Sequence, residues 1–342
     1  TRRLTAVHII IATGSNPARL PVPGADLPGV ITSDEILQQE VVPEDIVVVG
    51  GGAVGVEFAY LFREMGARAT VLEMAPTIMA QEDEEIVHEM ERLLRSFGID
   101  LQTGAALESI AQRDGGIEVT FKQGDETKTL QCSTLLMASG RTPNTESLRL
   151  DDVQIEHEKG KIRVDENCET SVSGVYAIGD CIRDAGWAHL AAGEGTYVAE
   201  TIARHPSVMN LAHVPTCYYT HPEIASVGLT EKKAREGERA VRVGKFAFRS
   251  NGRAAAAGDH NGFVKVVVDD ETEKLLGCQI IGPRATDLIA EAVLALKTDQ
   301  TLDEIVGSIH AHPTFSEALP EAALAARRGS WQPGSPWPEI ES

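Results

Sequence analysis

The sequence predicts an α/β protein in which a parallel βαβ unit precedes a separate α+β segment. Three observations predict it. The stretch "DIVVVGGGAVGVEFAYLFREMGARATVLEM", from Asp45 to Met74, reads as strand, glycine turn, helix and strand. Strand and helix patterns go on alternating to about Gly140. From His213 the texture changes to strands rich in Val, Phe and Ile.

In chain order, Val7 to Ala12 is a short buried strand, followed by a turn at Gly14 and a Pro-rich connection. A helix-like stretch, Ser33 to Glu40, precedes Pro43. The continuous apolar run Ile46 to Val49 is of the kind a parallel sheet buries on both faces. A helix runs from Val54 to near Gly66, and Ala69 to Glu73 is the next strand. Asp83, Glu84 and Glu85 open an amphipathic helix, where carboxylates suit the positive end of the dipole. Ile86, Met90, Leu93, Leu94 and Phe97 recur at helical spacing, and Gly98 suits the position after its end. Alternation in "GIEVTF" and a turn near Gly124 predict a hairpin, closed by the strand Thr134 to Ala138. "GVYAIGDC" gives another strand and turn, with a helix over Gly193 to Arg204. In the last third, "KFAFR", "FVKVVVD" and "LLGCQIIG" are strands, and Ala285 to Lys297 and Leu302 to Ile309 are helices. The Gly/Pro-rich tail after Arg328 is expected to be poorly ordered.

Composition narrows the function. The 342 residues hold 31 basic and 51 acidic side chains, a net charge of −20. That disfavours nucleic acid and anionic membrane surfaces as partners. The longest apolar run, Ile46 to Phe62, is broken by Gly50, Gly51, Gly52, Gly55 and Glu57, so no membrane span is expected. No signal-peptide pattern follows Thr1, and a cytoplasmic protein is expected. Because the first residue is Thr, the true N-terminus is expected elsewhere. The cysteines, Cys132, Cys168, Cys181, Cys217 and Cys278, fit neither a CxxC redox pair nor a zinc knuckle. Reduced, packed thiols are expected.

Gly50, Gly52 and Gly55 form GxGxxG between a strand and a helix. The first allows the tight turn, the second lets backbone approach a pyrophosphate, and the third packs helix on strand. The phosphates would sit on free N–H groups where the helix starts, at Ala53 and Val54. Glu73 closes the second strand, 18 residues after Gly55. Together these make a Rossmann-like dinucleotide fingerprint. Glu73 can accept hydrogen bonds from both ribose hydroxyls and would repel a 2′-phosphate, so NAD(H) is preferred to NADP(H).

A second constellation lies in "HAHPTFSEAL", from His310 to Leu319. His312 stands five residues ahead of Glu317, and a carboxylate-oriented histidine suits movement of a thiol proton near neutral pH. His310 and His312 also form an HxH pair, but without a nearby Cys or third His it is a weak metal signal. No metal is expected.

With these residues in view, the chain resembles the pyridine-nucleotide flavoprotein disulfide reductases, and within them the dihydrolipoyl dehydrogenases. The marks are "ATGSNP", "VVVGGGAVGVEFA", "ASGRTPN", "VYAIGDC", "AHLAAGEG", "YTHPEIASVGLTE", "GFVKVVV" and "HPTFSEA", in that order, from Thr1 to about Arg328. The resemblance implies FAD and NAD as cofactors. It places Gly14 at the turn that returns to FAD, Asp180 on the ribityl chain and Ala188 beside the flavin ring. Gly50, Gly52, Ala53, Val54, Gly55 and Glu73 would bind NAD, with Glu57 near the nicotinamide and Leu107 and Gly140 lining the same cofactor. His312 would be the acid/base and Glu317 its orienting partner, the His312–Pro313 bond cis, and the pair would serve the opposite subunit of a homodimer. The substrate implied is dihydrolipoamide on the lipoyl domain of a 2-oxo acid dehydrogenase complex.

The implied segments are 1–43, the end of the first part of a split FAD-binding domain; 44–140, binding NAD; 141–212, the returning FAD segment; 213–328, for dimerisation; and 329–342, a tail. Two features depart from the family pattern. The N-terminal FAD glycine motif and the CxxxxC redox pair do not occur in this sequence, and roughly a hundred residues, one dinucleotide-binding half, are expected to precede Thr1. Pro320 is tolerable in the first turn of the last helix if Ser316 caps it. Glu73 disfavours glutathione reductase, the lack of a terminal cysteine pair disfavours mercuric reductase, and the His312–Glu317 pair disfavours a soluble transhydrogenase. A non-catalytic fragment that binds NAD and dimerises is the alternative.

Overall fold

The computed structural model describes residues 4–113, 115–183, 186–237 and 239–327; the expected tail lies outside them. The chain forms two compact units, Thr1–Ala80 with Leu94–Ala212, and Gln81–Leu93 with the chain from His213 onward.

The first unit is built on a five-stranded parallel sheet. Its strands are β1 (Val30–Thr32), β2 (Asp45–Val49), β3 (Arg68–Glu73), β4 (Asp100–Thr103) and, after an antiparallel meander, β8 (Thr134–Met137), in the order β1-β8-β2-β3-β4. Helix α1 (Ala53–Glu64) joins β2 to β3, and α2 (Glu84–Ser96) joins β3 to β4. Val47, Val48, Val49, Leu135, Leu136 and Met137 are all buried, as the continuous apolar runs require. The meander is β5 (Ala105–Arg113), β6 (Gly116–Gln123) and β7 (Glu126–Cys132). Periodicity misses β5 because its register shifts between Leu107 and Ser109, which breaks the alternation of faces. A second, two-stranded parallel sheet pairs Ile9–Ile11 with Val175–Ala177.

Two predicted helices change. Ser33 to Glu40 is one turn, Ser33–Ile36, because Ile36 alone is buried and Leu37 is exposed. The helix expected from Gly193 begins at Ala188 and runs to Ile202 as α3. Its glycines are accommodated by packing: positions 193 and 195 lie against Met209, Leu211 and Ile178. Tertiary contact overrides the glycine penalty there.

The second unit holds a five-stranded antiparallel sheet of β9 (Thr216–Tyr218), β10 (Glu223–Gly228), β11 (Val241–Ala247), β12 (Phe263–Asp269) and β13 (Leu275–Gly282), ordered β9-β10-β13-β12-β11. Helices α4 (Ala285–Lys297), α5 (Leu302–Gly307) and α6 (Ala318–Arg327) complete its apolar core. Across the other face runs a row of register partners, Thr216, Ser226, Gln279, Lys265 and Lys245, all polar. The acids that open α2 cover it. Glu82 accepts hydrogen bonds from Thr216 (2.9 Å), Ser226 (2.6 Å) and Tyr218 (3.1 Å). Asp83 receives Lys265 Nζ on both oxygens at 3.0 Å, Glu85 pairs with Lys265 at 2.8 Å and with Lys245, and Glu231 reaches Lys265 at 2.9 Å. Asp83 and Glu85 thus do more than suit the helix dipole: they hold the buried lysine.

Lys265 is 2% and Asp83 3% exposed. Burial depresses the lysine's proton affinity, but the hydrogen bonds it donates to Glu85, Glu231 and Asp83 outweigh that and hold the pKa above its ordinary value. Burial raises Glu85 and Glu231, and the lysine and arginine contacts outweigh that, so both stay below the carboxylate range. The two glutamates therefore stabilise the fold above their unfolded pKa, and that contribution goes as pH falls through the lower folded values. The lysine's contribution goes as pH rises through its raised folded value. Urea unfolding against pH should show the second unit weakening below about pH 4 to 5 and again above about pH 10.5. Lys265→Met should cost about 3–5 kcal/mol, by leaving Asp83 buried and unpaired. Lys265→Met with Asp83→Leu should recover much of that loss in the same assay.

Candidate functional site

Three groups of site residues were expected, and the structure places each on defined elements. The glycine turn lies between β2 and α1. Gly50 has φ +113°, and a Cβ there would stand 2.3 Å from the Ala138 carbonyl oxygen. A Cβ on Gly55 would stand 1.8 Å from the Gly50 carbonyl oxygen, so helix and strand are in backbone contact. Gly52, the helix N-cap, faces open space, with nothing within 4 Å of a built Cβ. Ala53 and Val54 form the first turn, whose N–H groups precede any intrahelical acceptor. This cradle fits a pyrophosphate.

Glu73 ends β3 over that turn. Its Oε2 accepts the Gly51 N–H at 2.6 Å and its Oε1 the Ala75 N–H at 2.6 Å. Each carboxylate oxygen keeps a second lone pair for a ribose hydroxyl. Glu57 is half-buried on α1. Leu107 is half-buried on β5 and packs against the core beside the register shift.

Gly14, Gly140 and Asp180 gather with two residues that the sequence reading did not single out. Ser15 Oγ donates to Asp180 Oδ2 at 2.5 Å, and Arg141 donates to Ser15 Oγ and to its carbonyl, each at 2.7 Å. The Gly14 carbonyl accepts the Asn144 N–H at 2.9 Å. Both Gly14 and Gly140 face open space. Nearby in sequence, Thr13 Oγ1 and Arg183 Nη1 are buried with no hydrogen-bond partner among the described residues. Unsatisfied buried polar atoms beside an open glycine-lined surface fit a polar cofactor such as FAD. Ala188 begins α3, exposed, after Trp187, whose ring stacks on His189. Glu194, 2% exposed, accepts the Gly179 N–H at 2.8 Å and pairs with Arg183, fixing the turn that carries Asp180. "AHLAAGEG" contains that glutamate, but its role requires the fold.

His312 and Glu317 lie in the second unit. His312 Nδ1 is 2.8 Å from Glu317 Oε1, and the ring is 77% exposed. The His312–Pro313 peptide is cis. Glu317 Oε2 accepts the Thr314 N–H at 2.8 Å in a capping box. That hydrogen bond, then the one from His312, holds the Glu317 carboxyl below the usual range. The expected cap, Ser316, is therefore replaced by Thr314, and Ser316 Oγ bonds Thr314 Oγ1 at 2.8 Å. Pro320 sits in the first turn of α6, where its missing N–H costs little, and the His312–Glu317 contact is intact. His310 points elsewhere: Nε2 lies 2.9 Å from Glu291 Oε1 on α4, and Nδ1 lies 2.9 Å from the Ser308 carbonyl.

The cysteines are all free and buried. Burial pushes the Cys132 thiol up to about 12 and that of Cys168 up to about 11, and raises Cys278 further. None is poised as a nucleophile.

The glycines separate structural from ligand roles. Gly55→Ala should destabilise the first unit by about 1–3 kcal/mol in thermal unfolding, through its backbone clash. Gly52→Ala should cost about 1 kcal/mol or less, yet weaken NADH binding measured by fluorescence titration.

Known proteins resemble this chain over most of its length. Residues 1–214 match the family profile described as pyridine nucleotide-disulphide oxidoreductase, and residues 214–323 match its dimerisation domain. Dihydrolipoyl dehydrogenase of Bacillus subtilis (strain 168) is 43% identical over 322 residues, 93% of this chain and 68% of that protein. Dihydrolipoyl dehydrogenase 2 of Haloarcula marismortui is 38% identical over 328 residues, covering 95% and 69%. LpdA from Mycobacterium tuberculosis superposes with a TM-score of 0.86 at 28% identity, covering 93% of this chain and 69% of that one. The HOCl-induced flavoprotein disulfide reductase RclA from Escherichia coli gives 0.86 at 27%, covering 93% and 73%. The chain belongs to the pyridine nucleotide-disulphide oxidoreductase family, whose dihydrolipoyl dehydrogenases use FAD and NAD(H).

Proposed function

We propose that this chain works as a dihydrolipoyl dehydrogenase, oxidising dihydrolipoamide with NAD⁺ as the final acceptor. The observation that carries the reading is the 2.8 Å contact between His312 Nδ1 and Glu317 Oε1. A carboxylate accepts only, so Nδ1 carries the proton and Nε2 keeps its lone pair for a thiol proton. As His312 takes that proton at Nε2, the ring becomes an imidazolium, which the Glu317 carboxylate stabilises. The freed thiolate attacks a disulfide sulfur and the second sulfur leaves as thiolate. The five thiols within residues 1–342 are buried and no two are spaced as CxxxxC, so none of them forms that disulfide.

Gly14, Asp180 and Ala188 would hold FAD, with Ser15 and Arg141 orienting the Asp180 carboxylate, and Gly140, next to Arg141, would line the NAD site. Bound FAD would supply a two-electron relay from thiol to NAD⁺. Gly50, Gly52, Ala53, Val54 and Gly55 would seat the NAD pyrophosphate, and Glu73 the adenosine ribose, with Glu57 and Leu107 toward the nicotinamide end. The dimerisation-domain match supports a homodimer, and in it His312 would serve the partner's site. The substrate would be the lipoyl group of a 2-oxo acid dehydrogenase complex.

In the holoenzyme, His312→Ala should lower kcat for dihydrolipoamide oxidation by roughly 10²–10⁴-fold. NADH-to-dye electron transfer, which needs no thiol proton, should stay largely intact. Equal loss of both activities would overturn the role assigned to His312.

A further inference from the structure

The dinucleotide fingerprint leaves the residue between its first two glycines free. In this chain that residue is Gly51, and the structure gives it no freedom. Its N–H is donated to Glu73 Oε2 at 2.6 Å, and its carbonyl accepts the Met79 N–H at 2.9 Å. A Cβ at this position would stand 2.9 Å from Ile78 Cγ2, 3.0 Å from Glu73 Cβ and 3.1 Å from Glu73 Cγ. Hydrogen bonds hold the peptides on both sides of Gly51, and side-chain carbon covers its α-carbon.

The covering loop, residues 74–80, is itself fixed. The Ala75 N–H bonds Glu73 Oε1 at 2.6 Å, and the Ala75 carbonyl accepts the Gly104 N–H at 2.8 Å, just beyond β4. Met79 is 3% exposed and has φ +46°. That left-handed backbone is unfavourable for a residue with a side chain, and it persists only where the surroundings determine it. What it achieves here is the N–H aimed at the Gly51 carbonyl.

We propose that residues 74–80 are a positioning clamp for the glycine turn, with Ile78 and Met79 as the positioning residues and Gly51 as the part they grip. The inference rests on reading the turn as the NAD site. The clamp holds the Gly51 peptides, and through them Gly52 and the first turn of α1, in place before a nucleotide arrives. The affinity gained is that of a preorganised site.

The test uses the holoenzyme with NADH as the probe, read by fluorescence titration, alongside melting temperature and steady-state kinetics. Gly51→Ala should raise the Kd for NADH at least about tenfold and lower Tm, because its methyl meets Ile78. The KM for NAD⁺ should rise while that for dihydrolipoamide does not. Ile78→Ala alone should also weaken NADH binding and lower Tm, since it removes a buried part of the clamp. In the double variant the added methyl no longer meets Ile78, so its losses in affinity and Tm should be smaller than the sum of the two single losses, the non-additive signature of two groups in contact. Gly51→Ala binding like the parent, or losses that simply add, would overturn the clamp. If the parent binds no nicotinamide nucleotide, the NAD reading fails, and the additivity of the Tm shifts still decides the clamp.

Discussion

An ammonium group cannot be taken into a sheet interior alone, because the loss of hydration costs several kcal/mol. Lys265, 2% exposed in the middle of its strand, therefore dictates its surroundings. Three carboxylates must converge on it, and two of them, Asp83 and Glu85, belong to residues 81–93 and not to the later chain. The folding unit thus departs from the apparent sequence segment. A piece cut at His213 would keep the lysine and lose Asp83 and Glu85. The adjacent Glu82 satisfies the hydroxyls of Thr216, Ser226 and Tyr218, so one short acidic run answers most of a polar row across the sheet.

Local chemistry made much of this legible in advance. The buried strand before the glycine turn, the helix after it, the acid closing the next strand and the histidine five residues before Glu317 are all short-range patterns. Each has a physical reason to occur at that spacing. What escaped was long-range or depended on register. Lys265 sits in "FVKVVVD", which reads as a strand with one outward polar residue, and its partner Asp83 is 182 positions away. Ser15 and Asp180 meet across 165 positions. Strand β5 hid behind a bulge, and Glu194 behind a glycine-rich run that tertiary packing makes helical. Sequence spacing can mark a turn or a cap; it carries no sign of a hydrogen bond between distant loops.

The two kinds of site are built differently. The glycine turn is defined by backbone: contacts as close as van der Waals radii allow, N–H groups at a helix start and a carboxylate laid over them. His312 lies on a seven-residue connection between α5 and the turn Phe315–Glu317, and that turn carries its partner Glu317. Thr314 caps that turn and spans it, its N–H held by the same carboxylate that orients His312. One acid therefore fixes both the backbone and the imidazole, and the ring remains exposed.

The buried thiols have a consequence for a family whose chemistry runs through sulfur. Thiol–disulfide exchange needs an accessible thiolate, and Cys132, Cys168, Cys181, Cys217 and Cys278 are all buried. Their seclusion insulates the scaffold: a reactive disulfide passing nearby finds no competing partner. Electrons delivered as a thiolate pair are then confined to the intended route, and mixed disulfides with the protein's own framework are kinetically shut out.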